Sequence, residues 1–182
     1  MFKKLRKRRA EALSDVESSR EGIATGMPLP ASIAPGTEIQ FHPDLIARFN
    51  GHHASLRKLL EIVRAHAMDN KFAEAQKSLQ SFRNVLSAHL LEENVKLYTY
   101  MAKCLVGDPD SEGLITGMKA EMGRIGTGVM HFLNKYRDAG ITPFNKAQFL
   151  GELDAIGATL AERMEREETS LYSMYMPPDA LA

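Results

Sequence analysis

The stretch AHLLEENVKLYTYM, residues 88–101, sets His89 four residues before Glu93 inside a frame of Leu90, Val95, Leu97 and Met101. Residues four apart on a helix project from one side and reach a common centre. An imidazole and a carboxylate placed in that way suit iron, manganese or zinc. Charged groups are rarely buried unless they are paired or bind metal, so this pair calls for a partner. H-x-x-x-E alone is a weak motif, and it gains force from a second copy. RMEREETSLYSMYM, residues 163–176, aligns with it at an offset of 74 and sets Arg163 against His89, Glu167 against Glu93 and Tyr172 against Tyr98. His53 adds a third inward histidine or carboxylate position from another part of the chain.

The elements that position these residues follow from apolar spacing. After Pro43 and Asp44, Leu45, Phe49, His53, Leu56, Leu60, Val63 and Ala67 fall at alternating steps of four and three, which predicts a helix ending near residues 68–70. A second helix is predicted from about Phe72 to Cys104, with Leu79, Phe82, Leu86, His89, Glu93, Leu97 and Tyr100 on one face. A third runs from about Ser111 to Asp138 through Met118, Met122, Val129, Phe132 and Tyr136. Gly117, Gly123, Gly126 and Gly128 weaken it, which implies either a closely packed neighbour or an interrupted helix. The fourth runs from about Lys146 to Met176, with Phe149, Leu153, Leu160, Arg163, Glu167 and Leu171 inward. Four such helices with short connections and no strand-like segment predict an all-α, up-down-up-down antiparallel four-helix bundle over residues 42–182.

Residues 1–41 read differently, as a basic tail followed by a linker rich in Pro, Gly and Ser. Six of the first twelve residues are basic (Lys3, Lys4, Arg6, Lys7, Arg8 and Arg9), which leaves a mildly acidic body in a chain of zero formal charge. The tail is expected to be disordered and solvated, with anionic lipid or nucleic acid as the surfaces it suits. A single cysteine, Cys104, excludes an internal disulfide and any multi-thiolate metal site within one copy. No apolar run is long enough to cross a membrane and no apolar segment backs the charged start, so the expected location is cytoplasmic. GRIGTG lacks phosphate-loop spacing and no nucleophile has an assignable base, so an enzyme is not expected.

Over roughly residues 42–176 the chain resembles the hemerythrin-like HHE cation-binding domains. The segments that carry the likeness are H-x-x-L-x-x-L-L at His53, His89 through Tyr98, and EREETSLYSMY. The resemblance implies a four-helix bundle around a non-haem di-iron centre, with His53, His89, Glu93 and Glu167 carried over as metal ligands. Two positions depart from the pattern. The third-helix ligand should fall in AEMGRIG, where Met122 stands, and Arg163 replaces the fourth-helix histidine. Arginine offers no lone pair to a metal, and its fixed charge repels a second cation in a low-dielectric core. His131 lies nine residues past Met122, half a turn away from the inward stripe, and reads as a surface residue with His52 and His66. An intact di-iron centre is therefore not expected. One iron at His53, His89, Glu93 and Glu167, or no ion with Arg163 compensating the carboxylates, both remain open.

A second resemblance concerns the last helix. FLGELDAIGATLAERMEREETSLY is similar to the final helix of the bacterial regulators of sigma D, in which an arginine is expected near position 163. That likeness implies a metal-free helical module that binds a sigma factor. The two readings are thus a binding or sensing bundle with a degenerate metal site, and a protein-interaction module acting in transcription.

Overall fold

The computed structural model describes residues 33–180. The basic residues Lys3 to Arg9 and most of the expected linker lie outside the described residues. Among the described residues five α-helices build four rods: α1 (Leu45–Met68), α2 (Phe72–Glu92), α3 (Thr99–Cys104), α4 (Pro109–Ala139) and α5 (Lys146–Arg166). A π-helical turn, Glu93–Tyr98, joins α2 to α3, and another, Glu167–Leu171, extends α5 into a short 3-10 turn at Tyr172–Met174. No strand occurs among the described residues beyond the isolated bridge between Ile33 and Gln40.

Turn chemistry separates the rods. Asn70, at a φ of 61°, reverses the chain between α1 and α2, and Gly107, at 90°, does so after α3. Pro109 then opens α4 at a position where its missing N–H costs nothing, with Asp110 and Glu112 in the positively polarised first turn. Gly140, at a φ of 71°, ends α4. The five glycines of α4, Gly113 with the four expected to weaken it, interrupt nothing. Gly126 alone among them meets a neighbour, Leu90 Cδ1 at 3.7 Å, and the others face open space. The buried stripe of Met118, Met122, Val129, Phe132 and Tyr136 holds the helix together across them.

α1 packs against α2 and α5, and α4 packs against the same two helices. That ring of neighbours is consistent with a four-helix bundle. The core has two apolar clusters, one containing Leu56, Leu86, Val129, Phe149 and Leu160, the other Phe49, Leu97, Met101, Met118 and Leu171. On three of the rods polar residues fall between members of the two clusters, His53 between Phe49 and Leu56, His89 and Glu93 between Leu86 and Leu97, Arg163 and Glu167 between Leu160 and Leu171. They form a buried polar layer between the apolar ones. The end of the expected linker is part of the packed body: Ala34 is buried, and Phe41 stacks on Tyr175 with ring centroids 4.8 Å apart.

Candidate metal centre

All five inward polar residues expected from the sequence are buried: His53, His89, Glu93, Arg163 and Glu167 are each at most 3% exposed. α1 delivers His53 and α2 delivers His89, while Glu93 and Glu167 each open one of the π turns. A π turn inserts one extra residue and is frequent at functional sites. Five residues after each glutamate comes a tyrosine, Tyr98 or Tyr172, and the wider turn brings both back over the polar layer.

His53 is held from outside. Its Nδ1 lies 2.8 Å from Glu168 Oε1, which also accepts from Arg57 Nη2 at 3.0 Å. An ionised carboxylate accepts only, so Nδ1 donates to Glu168 and Nε2 is the atom turned toward the centre. There Nε2 meets His89 Nε2 at 3.3 Å, Glu167 Oε2 at 3.1 Å and Tyr172 Oη at 3.2 Å. Lone pairs converging in this way need a proton or a cation among them. His89 Nδ1 is buried without a hydrogen-bond partner. Burial first, then the charge of His53, pushes the His89 pKa down to about 4, so the imidazole is neutral and free to ligate at neutral pH.

The two glutamates share one proton. Burial first, then the charge of Glu167, pushes Glu93 up to about 9. Burial works against the Glu167 charge as well, yet a hydrogen bond from His53 and the nearby Arg163 hold it below the usual carboxylate range. The distances explain the division. Arg163 Nε lies 2.7 Å from Glu167 Oε1, whereas its Nη2 is 4.0 Å from Glu93 Oε1. The Nε contact is one of charge, since the N–H is not aimed to donate to that oxygen. The arginine donates instead from Nη2 to Tyr98 Oη at 2.5 Å. Its Nη1 approaches Glu121 Oε2 at 3.4 Å, and Glu121 Oε1 accepts from Arg166 Nη2 at 2.6 Å.

His53, His89 and Glu167 offer ligand atoms that all lie within 4.8 Å of one another. The 3.3 Å and 3.1 Å separations at His53 Nε2 match neighbouring ligands on one ion with bonds of about 2.1 Å at right angles, roughly 3.0 Å apart. The donor set therefore fits one metal ion. Among the described residues this is the one such group, and Arg163 and Met122 stand where the resemblance implies further ligands. Glu93 stands beside the three ligands with its carboxyl turned to Tyr98 and Arg163. α4 contributes Glu121 as a clamp on Arg163 where a histidine ligand was expected.

Of the remaining histidines, His131 is exposed as expected, and His66 is half-buried with Nδ1 3.3 Å from Ser78 Oγ. His52 corrects the sequence reading. It is half-buried, and its ring lies edge-on to His89 at 5.7 Å between centroids, because the residue flanks the inward stripe closely enough to reach α2. Sequence reasoning missed Glu168, Glu121, Tyr98 and Tyr172 as parts of the site. The available signal was the acidic doublet at 167–168 and the Leu-Tyr pair repeated at the same offset after each glutamate.

No curated protein and no solved structure matches the chain. The family model described as the hemerythrin HHE cation-binding domain matches residues 44–175, well over half of the chain. The match begins one residue before α1, ends within the last buried tyrosines and contains every residue of the polar layer. The chain belongs to the hemerythrin HHE cation-binding family.

Proposed function

We propose that the protein is an up-down-up-down bundle that binds a single divalent metal ion, iron(II) foremost, at His53, His89 and Glu167. Arg163 takes the place of the second ion. The observation that carries this reading is the orientation of His53, whose Nδ1 is tied to Glu168 while Nε2 faces His89 and Glu167. A carboxylate behind a histidine orients it and raises its basicity as a ligand. Two imidazoles and one carboxylate form a donor set suited to non-haem iron, and such a set leaves coordination positions for a small exogenous ligand.

The chain's own residues do the rest. Arg163 compensates Glu167 and Glu121, Glu93 holds a proton beside the ligands, and Tyr98 and Tyr172 donate or accept at the edge of the site. No described side chain is arranged as a nucleophile and base, and we read the role as binding or sensing of a small ligand, in the cytoplasm. No helix of the described residues is long and apolar enough to cross a membrane. The sigma-factor reading draws no support from the family match. Metal analysis and absorption spectroscopy on the full chain loaded anaerobically with iron(II) test the proposal. About one equivalent of iron, lost in His89→Ala, supports it, and wild-type protein without iron contradicts it.

A further inference from the structure

The two tyrosines over the polar layer are used differently. Tyr98 Oη accepts from Arg163 Nη2 at 2.5 Å and is committed to the guanidinium. Tyr172 is 4% exposed, and its Oη lies 3.2 Å from His53 Nε2, the nitrogen turned toward the centre. Packing fixes that ring. It stacks on the His53 ring at 23° with centroids 5.7 Å apart, and Phe49 lies against it at 5.8 Å. The π turn Glu167–Leu171 delivers it there directly after the Glu167 ligand's own turn.

His53 Nε2 therefore has three polar neighbours at nearly one distance: Glu167 Oε2 at 3.1 Å, Tyr172 Oη at 3.2 Å and His89 Nε2 at 3.3 Å. Adjacent ligands on one ion with bonds of about 2.1 Å stand roughly 3.0 Å apart at right angles and roughly 3.4 Å apart in a tetrahedron. Tyr172 meets that spacing to His53 as well as His89 and Glu167 do. Charge points to the valence it serves. Imidazoles ligate as neutral groups, so Glu167 brings the one negative charge of the set, and Arg163 lies 2.7 Å from it. A trivalent ion there would leave two positive charges uncompensated in a buried layer beside a guanidinium, and a phenolate removes one of them. Tyrosinate is a ligand that proteins use for iron.

We propose that Tyr172 is a further protein ligand when the ion is iron(III), bound through its phenolate oxygen beside His53, His89 and Glu167; this rests on the metal-binding reading above. The phenol O–H bond breaks, its electron pair stays on oxygen and is shared with the ion, and the proton leaves to solvent. No electron is transferred, because the ion enters as iron(III). Iron(II), with its lower charge, leaves Tyr172 a phenol, so the residue distinguishes the two valences.

The test loads the full chain in parallel with iron(II) under anaerobic conditions and with iron(III) nitrilotriacetate. After unbound metal is removed, iron is measured by elemental analysis and the ferric samples by visible and resonance Raman spectroscopy. Wild-type protein holding iron(III) is expected to show a visible phenolate-to-iron charge-transfer band whose excitation enhances tyrosine ring vibrations. In Tyr172→Phe the band is expected to be lost, whether or not iron(III) still binds, while iron(II) stays near one per chain. Iron(III) bound to the wild type without the band, wild type that takes up iron(II) alone, a band retained in Tyr172→Phe, or loss of both valences from that variant would overturn the proposal. Wild type that takes up neither valence would overturn it together with the metal-binding reading, whereas a missing band on bound iron overturns the proposal alone.

Discussion

Arg163 and Glu167 lie one helical turn apart, both essentially excluded from solvent, with Nε 2.7 Å from Oε1. The pair spans the junction where α5 becomes a π turn. Its pseudo-repeat partner is His89 with Glu93, the same spacing on the second rod. One half of the polar layer therefore presents imidazole and the other a guanidinium. Both Glu121 and Tyr98 turn toward the guanidinium, so it is held from three rods and cannot swing out without leaving carboxylates unpaired.

Removing that cation should cost the metal-free protein heavily. Breaking a buried ion pair by deleting one partner costs about 3–5 kcal/mol. Arg163→His should lower the denaturant midpoint of metal-free protein accordingly and strengthen iron binding, because a repelling charge is gone. Unchanged stability together with unchanged iron affinity would show that Arg163 does not stand in for an ion.

Glu168 should matter without being a ligand. Partners that orient a ligating histidine typically change metal affinity by about 10–100-fold. Glu168→Ala should weaken iron binding by that factor while leaving the stoichiometry at one, as read by competition with a chelator. An equal affinity would mean that the 2.8 Å contact to His53 Nδ1 does not set the ligand's orientation.

The buried titrating groups give the metal-free protein a pH profile with two opposed arms. His89 is depressed from 6.5 to about 4, so below 6.5 the unfolded chain takes up a proton that the folded chain refuses, and stability falls as pH drops through that window. Glu93 is raised from 4.5 to about 9, so the folded chain keeps a proton that the unfolded chain has released, and stability falls as pH rises through that window. The arms oppose between about 4.5 and 6.5, and Glu93 acts without His89 from there to about 9. Glu93→Gln should remove a slope of up to about 1.4 kcal/mol per pH unit and be more stable than wild type at pH 8. Denaturation of chelator-treated protein at pH 6.5 and 8 checks this, and a slope unchanged by Glu93→Gln would contradict the proton's assignment.

The helical stripes were legible because period and burial coincide: Leu45, Phe49, His53, Leu56, Val63 and Ala67 are all buried on α1. The inward polar residues were legible for the same reason, as charged or imidazole side chains out of place on apolar faces. The π turns were not legible. A step of four from Glu93 to Leu97 is consistent with an unbroken α-helix, and nothing in the residue types announces the extra residue that also turns Tyr98 inward. Glu168 and Glu121 were hidden because their partners, His53 and Arg163, lie on other rods. Alternation along one helix carries no sign of contacts across the bundle.

Gly128 makes no packing contact that requires a glycine. It is exposed, and a Cβ there meets nothing within 4 Å. Gly128→Ala should raise stability by up to about 1 kcal/mol with no change in iron uptake. A loss of stability in thermal melting would reveal a backbone requirement at that position.

We propose that one ion binds where the resemblance implies two. Iron per chain, measured by elemental analysis after anaerobic loading of the full chain with excess iron(II) and removal of the unbound metal, tests it most directly. The expected value is close to one and falls to zero in His89→Ala. A value close to two, or none in the wild type, would contradict it.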